Sequence, residues 1–203
     1  MTAPTPVTTV PDTGKVVTGF SHFVVAKYAE SSGTITYSNG RVASGAVDVS
    51  ITPSTSDDVN YYHDNALGET AAGAFTEGTA DFTVKGLQMD AERMMFGLPA
   101  ADANGWTAYG DETVPPYLGA GFIIRYMAKG VTYWTPVMLP KIKFDAKETA
   151  AATQEENIDF QSQKLSAKIF RADDANHHWQ YVGADYSSEA DAITVLNTML
   201  SIS

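Results

Sequence analysis

Adjacent histidines stand before a tryptophan near the end of the chain, and imidazole nitrogens are common metal ligands. His177 and His178 precede Trp179 in a segment that we expect to enter a strand. Side chains of adjacent residues point to opposite faces of a strand, so the two imidazoles cannot readily share one ion. A turn-to-strand junction is therefore the better interpretation of this pair.

Carboxylates cluster at two other places, and neither cluster has the spacing that its chemistry requires. Asp57 and Asp58 with Asp64 lack the alternating Asp pattern, the glycine and the distant glutamate of a calcium-binding loop. We interpret them as a solvated arm or an interface. A second group resembles a glycosidase pair only in composition: Glu155, Glu156 and Asp159. The chain has 24 Asp and Glu residues, so such neighbours are expected by chance.

No motif of a nucleophilic or phosphate-binding enzyme accompanies the polar residues. Ser, His and Asp residues are present, but no Gly-x-Ser-x-Gly elbow holds a serine at a strand-to-helix turn. No Gly-rich phosphate-binding loop occurs either. The sequence contains no cysteine, which excludes disulfides and thiolate metal sites. We therefore predict a protein without catalytic activity, cofactor or metal.

The composition excludes several partners and bounds the number of domains. At 203 residues the chain fits one large domain or one domain with extensions, and its formal net charge is −11. Tight nucleic-acid binding and docking on anionic membranes need clustered Lys and Arg, which this balance opposes. No apolar run is long enough to span a membrane. The Thr- and Pro-rich start lacks the pattern of a secretory signal, so we interpret residues 1–18 as a flexible arm and 19–203 as one domain.

Two segments with strict alternation organise the middle of the chain. In residues 46–52 and 79–85 apolar and polar side chains alternate, which is typical of strands with one packed face and one solvent face. We predict that the two segments pair, with their apolar side chains in the core. The opposite face is polar and mildly acidic, and it carries Asp48, Ser50, Thr52, Thr79, Asp81, Thr83 and Lys85.

A polar segment, residues 53–75, separates these strands and carries three adjacent ring-bearing residues. A structureless loop longer than about 15 residues is unusual in a compact domain and is usually functional or disordered. Tyr61, Tyr62 and His63 either fold back and complete the core or anchor an interface. We favour the interface, because aromatic residues dominate binding hot spots. The segment is therefore predicted to be a long arm that contacts a partner.

The remaining segments predict a mainly β fold with few helices. We expect strands at 20–28 and 34–37, an Asn-Gly turn at 38–41, a hairpin of 117–128 with 131–140, and helices at 87–97 and 188–200. Residues 145–157 fit either a loop or a frayed helix. Frequent turns without β-α alternation predict an antiparallel β-sandwich or incomplete barrel with one or two flanking short helices.

Several short segments follow one another in a distinctive order. They are Ser50-Ile51-Thr52-Pro53, Tyr61-Tyr62-His63-Asp64-Asn65, Glu77-Gly78, Gly86-Leu87 and Val114-Pro115-Pro116-Tyr117-Leu118-Gly119-Ala120-Gly121-Phe122. With the helix that ends at Gly97, the hairpin and the terminal helix, this order resembles the major tail tube proteins of long-tailed (siphovirus-type) phages, especially the group common in phages of Gram-positive hosts. The resemblance covers residues 19–202, and its most specific part is the Pro-Pro-Tyr-x-Gly-x-Gly-Phe segment.

The resemblance implies a structural protein of the phage tail, made in the host cytoplasm and built into the virion. Such proteins form rings, usually hexameric, that stack into a tube through which DNA is ejected without specific binding. The implied partners are copies of the chain itself, the tape measure and the tail-end proteins. In that family the strands bordering the arm join across subunits around the lumen, which assigns the polar face of 46–52 and 79–85 to the lumen. The arm reaches neighbouring subunits or rings, which assigns contacts to Asp57, Asp58, Tyr61, Tyr62, His63 and Asp64.

Other classes of protein compete with this interpretation. A β-sandwich module that binds carbohydrates or surfaces would use exposed aromatic rings as a stacking platform, and its candidates are Trp106, Tyr109, Trp134 and Trp179. A hydrolase lacks a recognisable motif. A tube protein of a bacterial secretion system fits the fold but not the order of segments.

In the tail tube interpretation, an acidic or neutral wall of the lumen suits the passage of DNA, because it repels phosphate.

Overall fold

The computed structural model describes residues 3–8, 14–64, 66–149 and 162–202, and strands dominate that part of the chain. The strands are β1 (Val16–Ser31), β2 (Thr34–Ser44), β3 (Ala46–Thr55), β4 (Val59–His63), β5 (Ala66–Ala71), β6 (Phe75–Val84), β7 (Leu118–Ala128), β8 (Val131–Phe144), β9 (Gln163–Ile169) and β10 (Tyr181–Val182). The helices are α1 (Met89–Phe96) and α2 (Glu189–Met199). No described helix has the length and apolar character needed to cross a membrane.

One antiparallel sheet contains most of the strands. Its order is β2-β1-β7-β8-β9-β6-β3, with β10 paired to β8, while β4 and β5 form a separate two-stranded sheet. Lys129 and Gly130 both have positive φ and connect β7 to β8, which is the tight hairpin that the sequence predicts. The predicted fold class is confirmed: the described residues are mainly β and antiparallel with two short helices, and their sheet does not close into a barrel.

The sheet curls on itself, so that its two halves enclose the main core. β7, β8 and β9 separate β1 from β6, a distance of about 19 Å across a flat sheet of strands about 4.8 Å apart. Yet the rings of Phe23 in β1 and Phe82 in β6 stack with centroids 4.5 Å apart. Phe122 and Phe144, from the strands between, also lie against Phe82. Helix α1 packs on the same core.

Two glycines of β7 allow neighbouring side chains to lie directly on the strand. A Cβ added at Gly121 would lie 2.7 Å from Cδ1 of Leu196 and 2.8 Å from Cδ1 of Leu200, at the end of α2. A Cβ added at Gly119 would lie 2.4 Å from Cε1 of Tyr37. Both glycines belong to the Pro-Pro-Tyr-x-Gly-x-Gly-Phe segment. Close packing therefore explains why glycine occupies these two positions of the segment.

The predicted Asn-Gly turn is instead a bulge inside β2. Between the pairs Val25–Arg41 and Lys27–Ser38, β2 has one residue more than β1. Asn39 takes a left-handed conformation there, with φ of 54°. The prediction of a chain reversal was wrong, because pairing with β1 continues on both sides of the bulge.

β1 begins inside the segment that the sequence suggested as a flexible arm, residues 1–18. Residues 16–17 already pair with β7. Just before them, Lys15 Nζ lies 2.7 Å from Oδ2 of the buried Asp185. The backbone N–H of Val7 also donates to the carbonyl of Asp185. The folded body therefore includes Lys15, and a boundary between residues 18 and 19 is too late.

The connection between β8 and β9 is described only at its start. Residues 145–149 have no helix or strand, which excludes a helix there. Residues 150–161 lie outside the described part of the chain, and with them the acidic group of Glu155, Glu156 and Asp159.

Replacing Gly121 with valine is expected to destabilise the fold by overpacking the contact between β7 and α2. The Gly121→Val variant should lose about 1–3 kcal/mol of unfolding free energy, a fall in Tm of about 2–10 °C. The matched control is Gly19→Val in β1, where an added Cβ lies 3.5 Å from the Arg125 side chain. Thermal melting followed by circular dichroism measures both, and an equal effect of the two substitutions would contradict this role of Gly121.

Candidate assembly interface

The two alternating segments pair as the sequence predicts. β3 and β6 run antiparallel, and Ala80, Phe82 and Val84 of β6 are buried in the main core. The opposite side chains share one polar face: Asp48 lies opposite Thr83, Ser50 opposite Asp81, and Thr52 opposite Thr79. Lys85 follows the end of β6 and is exposed. The proposed lumen-facing residues therefore lie together on the solvent face of one ladder.

The polar face continues onto β9 and β8, where it becomes basic. Thr79 lies opposite Lys168 and Thr83 opposite Lys164 in the ladder of β6 with β9. Lys168 in turn lies opposite Lys143 in the ladder of β9 with β8. The mildly acidic face predicted for β3 and β6 is therefore only one part of a larger solvent face, to which the strands beside β6 add lysines. The signal in the sequence is the alternation of lysine and serine with apolar residues in 164–169.

β3 forms one edge of the sheet. Its outer side has no partner strand in the described residues, so backbone N–H and C=O groups face outward along it. Val49 and Ile51 pack against the core but are only half-buried. Val47, which a bulge displaces from the regular ladder, is 54% exposed. β3 therefore offers both backbone groups and apolar side chains to a second chain.

The predicted loop at 53–75 is instead a β-hairpin that extends beyond the ladder of β3 and β6. β4 and β5 pair antiparallel, from Val59 opposite Ala71 at the base to His63 near the tip. Asp64 has φ of 49° in the turn, a conformation that Asp adopts more readily than most residues. The side chain of His63 lies outside what the structure describes. The predicted arm therefore has regular structure, because the segment supplies its own strand pairing.

A short break in strand pairing joins this hairpin to the body. The N–H of Ser56 donates to the carbonyl of Ala74 at 2.9 Å, and Asp58 Oδ1 accepts from the N–H of Gly73 at 2.8 Å. A Cβ added at Gly73 would lie 1.8 Å from the carbonyl oxygen of Ser56. Only glycine fits where these two segments of the chain approach each other so closely. The direction of the hairpin is therefore set at its base.

The arm residues assigned to partner contacts are exposed wherever the structure describes their side chains. They are Asp57, Asp58, Tyr61, Tyr62 and Asp64. Tyr61 is 65% and Tyr62 62% exposed, and no described residue of 56–74 belongs to either hydrophobic core. Of the two interpretations of the tyrosines, completion of the core is therefore wrong. A two-stranded hairpin is at best marginally stable by itself, so contacts with another molecule would stabilise it.

Trp179 fixes the base of the hairpin. Its ring stacks on Phe75 at the start of β6, with centroids 4.9 Å apart and planes within 6° of parallel. The guanidinium of Arg171 donates to the carbonyl of Phe75. Trp134, another aromatic residue of the proposed carbohydrate platform, is half-buried against the second core under α2. Two of the four rings of that platform therefore have structural roles.

The histidine pair lies in a turn that is bonded to an aspartate. Asp174 Oδ2 is 2.5 Å from Nδ1 of His178 and accepts from the hydroxyl of Tyr181 at 3.0 Å. Asp174 Oδ1 accepts from the backbone N–H of His178 at 3.0 Å. In the described residues, no three His, Asp or Glu side chains are placed to hold a metal ion together. The pair therefore has a structural explanation.

Hydrogen bonds at this turn hold two adjacent carboxylates in their charged forms. Burial acts to raise the pKa of Asp174, but hydrogen bonds from His178 and Tyr181 outweigh it and lower the pKa to about 2. Hydrogen bonds from Lys141 and Tyr28 lower the pKa of the neighbouring Asp173. Lys141 Nζ lies 2.6 Å from Asp173 and the Tyr28 hydroxyl 2.8 Å, so the turn is tied to β8 and β1.

Acid is expected to weaken the fold through Asp174. Because its pKa in the folded state lies below the ordinary value of 3.8, its contribution to stability is present above that value and is lost as the pH falls toward about 2. An Asp174→Asn variant should lose about 1–3 kcal/mol at pH 7 and show a shallower decline below pH 4, since the amide does not titrate. Urea unfolding between pH 6 and 2 measures this, and parallel curves for the two proteins would contradict it.

Comparison with known proteins adds no family to these observations. A scan of the chain against protein-family models finds no match, and a search of curated proteins finds none either.

Proposed function

We propose that this chain is a structural virion protein, the tail tube subunit of a long-tailed phage. It assembles into stacked rings, hexameric in the family that it resembles, and DNA is ejected through the tube without specific binding. The ladder of β3 and β6 carries the proposal, because it combines an open strand edge, a polar solvent face and a projecting hairpin. The order of the short sequence segments over residues 19–202, which resembles that of tail tube proteins, supplies the link to phage tails.

Ring closure follows from the edge. A strand of the next copy placed beside β3 satisfies its outward backbone groups and covers Val47, Val49 and Ile51. A contact of this kind joins two different surfaces of the same chain, and it closes into a ring when the rotation between copies divides a full turn. No catalytic step, metal or cofactor is needed for this role.

Stacking of rings follows from the hairpin. Tyr61 and Tyr62 are large, exposed and carried on a segment that leaves both cores, so they suit insertion into a neighbouring copy. Ordering the hairpin on contact costs conformational entropy, which offsets part of the binding free energy. In this proposal the hairpin joins one ring to the next.

The polar face lines the lumen in this proposal. Its small Ser and Thr side chains on β3, β6 and β9 offer no apolar surface to passing DNA. Acids repel phosphate and lysines attract it, so a wall that carries both does not hold DNA in one register. The tape measure protein would occupy the same lumen before DNA, and tail-end proteins would close the tube.

One observation favours a second candidate, a surface-binding module. Trp106 is 77% exposed, and its backbone N–H donates to Asp102 Oδ1 at 2.8 Å in a turn that fixes the loop. An exposed indole on an ordered loop suits stacking on a sugar ring. This candidate gives no role to the hairpin or to the edge of β3, so we rank it second.

Replacing residues 57–72 with an Asn-Gly turn is expected to leave a folded domain that no longer forms tubes. The hairpin contributes no described side chain to either core, so Tm should change by less than about 4 °C. Negative-stain electron microscopy of the purified wild type should show tubes, whereas the variant should show single rings that do not stack, because ring closure through β3 does not need the hairpin.

Point variants separate the tyrosines from the rest of the hairpin. Tyr61→Ser with Tyr62→Ser should also prevent stacking, whereas Trp106→Ser, an exposed aromatic residue outside the hairpin, should not. Normal tubes from the hairpin-deleted protein would show that the hairpin does not join the rings. A persistent wild-type monomer that loses glycan binding on Trp106→Ser would replace the tail tube proposal with the second candidate.

A further inference from the structure

We infer that the contact between neighbouring copies in a ring is selected by charge: an acidic strip on β3 and β6 of one copy lies beside a lysine strip on β8 and β9 of the next. This inference rests on the proposed ring assembly and specifies its partner surface. The acidic strip consists of Asp48, Glu77 and Asp81, and the lysine strip of Lys143, Lys164 and Lys168.

The two strips divide a single sheet face. Across the sheet, the row from β3 to β8 reads Thr52, Thr79, Lys168 and Lys143. Within these strands the acids lie on the two at the β3 edge and the lysines on the next two, while Lys85 follows the end of β6 and Asp145 follows the end of β8. The face therefore has one negative and one positive side, and the two sides are complementary between copies placed head to tail.

The lysine strip makes no ion pair within the described part of the chain, and its one described partner is the Tyr117 ring, whose centroid lies 5.9 Å from Lys143 Nζ. Lys143 and Lys168 lie directly opposite each other, and like charges in this position destabilise a sheet. An acidic partner would offset this repulsion. The acidic strip is the matching surface on the same sheet face of the next copy.

The acidic strip reaches the open edge of the sheet, and the lysine strip reaches the end of β8, where pairing with β7 stops. β3 is the edge strand on the acidic side. On the other side, pairing between β7 and β8 extends only to Ile142, so Lys143 and Phe144 pair with β9 alone. When β3 of one copy lies beside this end of β8 in the next copy, Asp48 and Lys143 are on adjacent strands, about 4.8 Å apart, and the acids of β6 and the lysines of β9 lie one strand further back on each side.

Charge reversal tests the inference in full-length protein. One variant carries Lys143→Glu with Lys168→Glu, and the other carries Asp48→Lys with Glu77→Lys. Asp81 is left unchanged, because it accepts a hydrogen bond from Ser166 at 2.6 Å. The first variant replaces one like-charged pair with another, so folding should be preserved, which thermal melting checks. The control, Lys27→Glu with Lys129→Glu, makes the same charge change away from this face.

Each reversed variant alone is expected to need at least about tenfold more protein to assemble than the wild type, since like charges then meet at every contact. An equimolar mixture of the two should assemble again, because alternating copies restore opposite charges at each contact. The control should assemble like the wild type. Sedimentation and electron microscopy measure all four samples at low salt, where exposed charges are least screened.

Failure of the mixture, with both variants folded and the wild type forming rings, would overturn the inference while leaving ring assembly intact. Normal assembly of the lysine-reversed variant alone, with weaker retention of duplex DNA than the control, would assign the lysine strip to a polyanion instead. A wild type that forms no rings at any concentration would contradict the proposed function itself, and the charge-selected contact with it.

Discussion

The outward backbone N–H and C=O groups of β3 have no partner strand in the described residues. The rest of this structure can be understood from that constraint. The two edges of the sheet differ in how far their backbone groups are covered. β2 carries the Asn39 bulge, and its Gly40 is bridged by Ile202 from the end of the chain, so that edge is interrupted and partly covered. β3 has no such cover in the described residues, and its regular stretch continues to Pro53, which has no N–H to donate.

The core makes this open edge rigid, which prepares it for a partner. Phe82, one strand away from the edge, is held by Phe23 from the opposite half of the curled sheet. β6 is thus fixed by aromatic packing, and β3 follows it through a nine-pair ladder. The stack of Phe75 and Trp179 fixes the same ladder where the hairpin leaves it. Edge and hairpin therefore share one packed base, the ladder of β3 and β6.

Much of the fold could be predicted from the sequence, because alternation and turn chemistry are local signals. The pairing of 46–52 with 79–85, the hairpin at Gly130 and both helices follow from such signals. The hairpin of β4 and β5 was missed because its strands are short and polar, with no buried face to impose alternation. Asn39 was misassigned because a left-handed residue serves a bulge as well as a turn.

The lysines that extend the proposed lumen face were missed for a different reason. Lys164 and Lys168 are distant in sequence from Asp48 and Asp81, and only the strand order brings them onto one face. A net charge of −11 describes the whole chain and not this surface. The packing at Gly119 is likewise set by Tyr37 of β2 and that at Gly121 by Leu196 and Leu200 at the end of α2, each about eighty positions away, so the need for glycine there could not be read from the local sequence.

Hydrogen–deuterium exchange along β3 tests most directly whether the chain completes its sheet with copies of itself. In the isolated protein the outward amides of 46–52 should exchange fast beside the protected amides of β6. On assembly they should become as slow as those of β6, because each gains a backbone partner. Assembled particles in which these amides still exchange at the isolated rate would contradict strand pairing through β3.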